Sequence, residues 1–275
     1  MNLIELFSYP FITRALIVGT LVSVCAAILG VILVLKKYSL IGHGLSDVGF
    51  ASLSFALAFS LSPFLVATPI MIVTSFIIMY ISQNKKINGD VAIGIFSTGA
   101  LALGVIITAL TKGFNVDVYG YMFGSILAMS QSDVILSVIL AVAVILVFVI
   151  FYNKLFLITL DENFAKASGV NVMFYQFLIS FLTAITVVLG MRMMGTLLIS
   201  SLIIFPAFIA KKISRSFKGL MIISAMISAI CFVVGIILSF EFNIPTGAGI
   251  VSVNIILALV VSIFNKVFKR GIFTI

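Results

Sequence analysis

Apolar stretches without a single charge, each about the length of a bilayer crossing, follow one another along nearly the whole chain, with short basic clusters between them. They cover residues 15–35, 48–84, 91–111, 134–153, 167–191, 193–210, 219–240 and 242–265. A helix needs about 20 such residues to cross the hydrocarbon core. The stretch 48–84 is too long for one helix, and Ser62-Pro63 divides it, because proline ends a helix and biases the residue before it away from the helical region. The pattern predicts an all-α membrane protein with nine transmembrane helices. Composition excludes the soluble alternative: 9% of residues are charged and 63% are hydrophobic, whereas a soluble domain carries roughly 25% charged residues.

Basic residues fix the expected orientation. With the N-terminus outside and the C-terminus inside, Lys36, Lys37, Lys85, Lys86, Lys154, Lys166, Lys211, Lys212, Arg215, Lys218, Lys266, Lys269 and Arg270 all fall on the inner side. Arg14, Lys112 and Arg192 remain outside, so 13 of 16 obey the positive-inside rule. The net charge of +8 therefore points to inner loops, not to nucleic acid. The absence of a basic region before the first apolar run argues against a cleaved signal peptide. With neither a repeat nor a low-complexity linker, residues 1–275 read as one transmembrane domain. Cys25 and Cys231 lie inside apolar runs and read as packing residues.

Residues 114–131, with Tyr119, Gly120, Tyr121 and Gly124, sit between two spans on the outer side. They read either as a re-entrant segment or as an ordered surface loop.

One inner segment is too short and too charged to span. In TLDENFAKASGV, Thr159 and Glu162 have the spacing of a capping box, and Gly169 is placed to end a helix of about nine residues. Leu160 and Phe164 fall on one face, while Asp161, Glu162 and Lys166 are available to water. The helix reads as lying on the protein's own base or the headgroups, or as docking a soluble partner.

The lone histidine, His43, precedes Asp47 by four residues in GHGLSDVGF. On a helix the two share a face. Imidazole and carboxylate are good ligands for zinc or manganese, and a carboxylate at the edge of an apolar span marks a functional candidate. The alternative is a hydrogen-bonded pair that fixes a loop. Two ligands do not fill a coordination shell, so water or other helices would complete it. Met191, Met193 and Met194 flank Arg192 and read as packing around a snorkelling anchor. Glu5, Asp117, Asp133 and Glu241 are outer carboxylates, and Pro206 and the 244–247 stretch mark local breaks. No Gly-Lys dipeptide occurs, so no Walker A loop is present and ATP, if used, is hydrolysed elsewhere. Nothing suggests a catalytic triad or a covalently bound cofactor.

Three stretches carry a family resemblance: LVLKKYSLIG at 33–42 with His43 and Asp47 after it, residues 160–170 ending in A-x-x-x-G-V, and GTLLISSLIIFPAFIA at 195–210. With NIPTG at 243–247, they make the chain similar, from Phe11 to about Phe268, to the permease subunits of zinc, manganese and iron ABC importers. Where the family commonly has Asp and then His, this chain has His43 and then Asp47, which keeps one imidazole and one carboxylate on one face. The resemblance implies a permease dimer like the larger vitamin B12 importer. It also implies a cytoplasmic ABC ATPase, an external metal-binding lipoprotein or periplasmic protein, and alternating access in a bacterial cytoplasmic membrane. The implied cargo is a divalent metal, zinc first and manganese or iron as alternatives, bound by His43 and Asp47. Leu160, Glu162, Phe164 and Gly169 are the residues it implies for coupling to the ATPase. A self-sufficient secondary transporter is the competing class. It would need carboxylates near the bilayer midplane, and the spans after Asp47 carry almost none.

Overall fold

The computed structural model describes residues 10–83, 89–111, 131–242 and 244–268. Every regular element among them is a helix: α1 Pro10–Leu35, α2 Ile41–Ala58, α3 Pro63–Gln83, α4 Gly89–Leu110, α5 Gln131–Ile150, α6 Tyr152–Leu160, α7 Glu162–Ala167, α8 Val172–Met194, α9 Thr196–Ile213, α10 Phe217–Phe242 and α11 Thr246–Phe268. Lipid offers the backbone no hydrogen-bond partner, so each segment satisfies its own amides and carbonyls as a helix. Side chains follow suit: Ser46, Ser52 and Ser54 turn their hydroxyls back onto Gly42, Val48 and Phe50 carbonyls.

Six helices, α1, α4, α8, α9, α10 and α11, are long and apolar enough to cross a membrane. The α5–α6 pair, bent by 76° at its break, brings the number to seven when it is counted as one span. Of the nine expected crossings, the other two correspond to α2 and α3. The apolar part of α3 is the shorter helix Leu65–Ile81, and His43, Asp47 and three serines dilute α2. The expected division before Pro63 is present: Ser60 takes a left-handed φ of 54° and Pro63 begins α3, where its missing N–H costs nothing.

Three boundaries differ from expectation. The second helix begins at Ile41 instead of 48, and so takes in both His43 and Asp47. The break between the sixth and seventh spans falls at Gly195 (φ 83°), not at Arg192, which lies inside α8. Residues 152–160 form a separate helix, α6, which takes in the end of the expected span 134–153 and the start of the expected short helix at Thr159. Pro206 sits within α9, which continues through it, and a break does separate α10 from α11. The segment 114–131, expected to be re-entrant or a surface loop, lies outside the described residues except for Gln131.

The centre of the bundle is α1 crossed by α9, with α5, α8 and α10 also against α1. The crossing is close because of Gly30: a Cβ there would lie 2.1 Å from the Ile203 carbonyl oxygen. Hydroxyls then fasten helix to helix. Ser228 donates to the Ser23 carbonyl at 2.9 Å and Ser224 to the Ala27 carbonyl at 3.2 Å, joining α10 to α1. The outward faces are apolar, as on α5 at Ile139 and Val149 and on α11 at Ile256 and Ile263, which suits lipid. Cys25 and Cys231 are free and buried.

Candidate functional site

The site grows from the elbow between α1 and α2. Tyr38 donates its backbone N–H to the Leu33 carbonyl at 2.8 Å and Lys37 to Val34 at 3.3 Å. This double closure requires a left-handed residue, and Lys37 supplies it with φ 62°. The chain then enters α2 at Ile41, so His43 lies in the first turn and Asp47 in the next.

His43 Nε2 and Asp47 Oδ2 are 3.8 Å apart, too far for a direct hydrogen bond. The imidazole is 63% exposed and the carboxylate 15%. Two ligand atoms that each lie about 2.1 Å from zinc stand roughly 3.4 Å apart at the tetrahedral angle. The observed spacing therefore fits a shared cation after a small side-chain adjustment. Ser97 of α4 donates its hydroxyl to Asp47 Oδ2 and so orients the carboxylate. The sequence contains no signal for Ser97, because only the packing of α2 along α4 brings it to Asp47. Among the described residues no group of three or more His, Cys, Asp and Glu could hold a metal ion. Water, hydroxyl or backbone oxygens, or a second copy would have to fill the remaining positions.

The short inner helix differs in detail from its sequence signature. The cap is Asp161, not Thr159: its side chain accepts from the Asn163 and Phe164 amides at 2.8 and 3.1 Å. Thr159 stays in the last turn of α6 and donates to the Leu155 carbonyl. Helix α7 is therefore six residues long instead of about nine. Asp161 is extended, so Leu160 ends α6 while Phe164 belongs to α7. Both remain exposed, at 65% and 58%. Gly169 ends the helix as expected, at φ 76°, with Gly169 N–H on the Lys166 carbonyl and Val170 N–H on the Ala165 carbonyl. Ala165 and Val170 pack with Ile158 and Val172 beneath it.

Glu162 is only partly open to water, its side chain 30% exposed. It meets Lys36 Nζ at 2.5 Å and accepts from Gln176 Nε2 at 2.5 Å. The Lys36 side chain is only 6% exposed. Burial pulls its ammonium below the usual lysine range, and Glu162 offsets part of that pull while Lys166 adds to it.

The other candidates separate. Met191 is buried, and a Cβ on Gly49 would lie 2.7 Å from its sulfur and 3.1 Å from that of Met71. The two thioethers thus fill space against α2, and Met194 is likewise buried. The side chains of Arg192, Met193 and Asp133 lie outside the described residues, as do Glu5 and Asp117. Glu241 is exposed at the end of α10.

An apolar bundle with at least six helices long and apolar enough to cross a membrane defines a multi-pass membrane protein. The chain belongs to the ABC 3 transport family, which it matches over residues 8–265. It is thus a transmembrane permease of the ABC kind, at home in a bacterial plasma membrane. The "Manganese import system permease protein ScaB" of Streptococcus gordonii is 31% identical over 255 residues, covering 93% of this chain and 91% of that one. The "High-affinity zinc uptake system membrane protein ZnuB" of Haemophilus influenzae is 27% identical over 258 residues, 94% of this chain and 98% of its own length. The solved structure of PsaBC from Streptococcus pneumoniae in complex with Fab superposes with a TM-score of 0.82 at 30% identity, covering 96% of this chain and 97% of that one.

Proposed function

We propose that this chain is the membrane-spanning subunit of an ATP-driven importer of a divalent transition metal. The observation that carries the reading is the His43–Asp47 pair, one imidazole and one carboxylate on one helical face with their polar atoms 3.8 Å apart. A carboxylate only 15% exposed at the edge of an apolar bundle marks a functional candidate, and the exposed imidazole one turn away supplies a second ligand type. Zinc is the first reading for the cargo, because imidazole suits it. Manganese is the second, favoured by the name of the ScaB relative; iron is the remaining alternative.

In this reading all nine long helices cross the membrane, with the N-terminus outside and the C-terminus inside, and residues 1–275 form a single domain. Two permeases pair around the transport path. An external metal-binding protein delivers the cargo, and a cytoplasmic ATPase docks on Leu160 and Phe164, with Gly169 ending the helix that presents them. Ser97 holds the Asp47 carboxylate, which leaves the exposed His43 imidazole free to swing towards the ion. ATP is used by the partner, and alternating access opens the path to each side in turn.

The test is metal uptake by proteoliposomes holding permease, ATPase and binding protein, with zinc, manganese and iron compared. Uptake should require ATP and should be abolished by H43A and by D47A without loss of expression. Uptake that proceeds without the ATPase would favour a secondary transporter. Wild-type rates in both alanine variants would make the pair structural and end the metal-site reading.

A further inference from the structure

The transport reading leaves open how movement of the docking helix reaches the metal pair. Lys36 is the first residue after α1 and lies in the elbow that leads into α2, seven residues ahead of His43. Glu162 is the first residue of α7, which exposes Phe164. Their 2.5 Å ion pair joins these two segments, which are remote in sequence. Gln176 of α8, itself 1% exposed, donates to the same Glu162 oxygen and fixes it from a third side.

A buried ammonium is tolerated only with its counter-charge in place. Among the described residues the Lys36 nitrogen has no partner other than Glu162. Helix α7 therefore cannot move away from the elbow without stranding a charge, and a displacement of α7 favours taking the elbow along. The elbow has little slack to absorb such a pull. Lys36, Lys37 and Tyr38 all donate backbone N–H groups into the end of α1, and the Ile41 N–H that opens α2 donates to the Tyr38 carbonyl at 3.1 Å.

We propose that Lys36 and Glu162 form the link through which movement of α7 reaches the His43–Asp47 pair. Both are positioning residues and neither is a metal ligand. The inference rests on the transport reading above and adds the residues that transmit the stroke.

The experiment uses the reconstituted complex of permease, ATPase and binding protein, and reads metal moved per ATP hydrolysed together with the ATPase subunit that co-purifies. K36M removes the charge at similar length and strands nothing, because Glu162 keeps Gln176 and partial exposure to water. It should retain the ATPase subunit in wild-type proportion while metal moved per ATP falls at least tenfold. K36R keeps the charge and should keep most of the coupling. The K36M/E162Q double variant buries no charge, should fold, and should be uncoupled like K36M. Wild-type metal per ATP in K36M or in the double variant overturns the proposal. So does K36R as uncoupled as K36M, since shape and not charge would then matter. Loss of the ATPase subunit from K36M, as expected of a damaged docking face, overturns it too, because the pair would then only hold that face in place. A wild-type complex that moves no metal on ATP removes the transport reading itself, and the link with it.

Discussion

Phe164→Ala tests the docking face with little risk to the fold. Phe164 is 58% exposed, the helix beneath it is held by the Asp161 cap, the Gly169 closure and the buried Ala165, and none of these uses the ring. A phenylalanine buries about 200 Å² when fully covered, so the exposed share amounts to roughly 115 Å². At about 25 cal/mol per Å² its burial by a partner stabilises the complex by at most about 3 kcal/mol. Imperfect coverage and the retained Cβ lower this to about 2 kcal/mol, or roughly a thirtyfold weaker affinity. The assay is titration of the purified permease in detergent with the labelled ATPase subunit, alongside a thermal melt of the permease alone. The melt should not move. An unchanged affinity with transport intact would refute the argument, because a face with this much uncovered apolar area would then be covered by something else. A shifted melting point would refute the premise that the ring is free of the fold.

The remaining expectations concern the metal pair, the bundle centre and the topology. The double variant H43D/D47H should retain substantial uptake, since one imidazole and one carboxylate remain one turn apart, whereas H43D alone should favour manganese over zinc in a competition assay; no change in ranking would separate the pair from selectivity. G30A should lower the thermal midpoint by about 5 °C, as expected for about 1–3 kcal/mol of overpacking, because its new methyl would meet the Ile203 carbonyl oxygen. G94A, whose methyl meets nothing within 4 Å, is the control, and equal melts for the two would refute the close crossing. Cysteines at Ser8 and Thr274 in intact cells should label at 8 and not at 274, and the reverse would overturn the proposed orientation.

How much of this was legible in the sequence depended on the range of the interaction. Membrane class came from the uncharged runs and the lysine pairs, because the cost of charge in hydrocarbon is paid residue by residue. The Pro63 boundary and the Gly169 helix end were legible for the same reason: each depends on the φ that one residue can adopt. The His43–Asp47 pairing needed only a helical period, although its start at Ile41 was missed, since α2 is less apolar than a spanning helix. The capping box at Thr159 failed because Asp161, two residues on, caps α7 instead, and local spacing does not choose between two competent caps.

Contacts between helices were not legible. Ser97 reaches Asp47 across 50 positions, and nothing in either neighbourhood announces it. Glu162 looked like a solvated charge on a short surface helix, and Lys36 like one more inner lysine. Only the way α1, α7 and α8 come together buries the ammonium and brings the carboxylate to it and to Gln176. The sequence by itself determined that the chain is apolar, helical and lipid-bound, because backbone satisfaction and transfer from water act on each segment alone. Tertiary structure alone decided which polar groups find partners in the bundle, because the partners lie on segments whose packing no local pattern specifies.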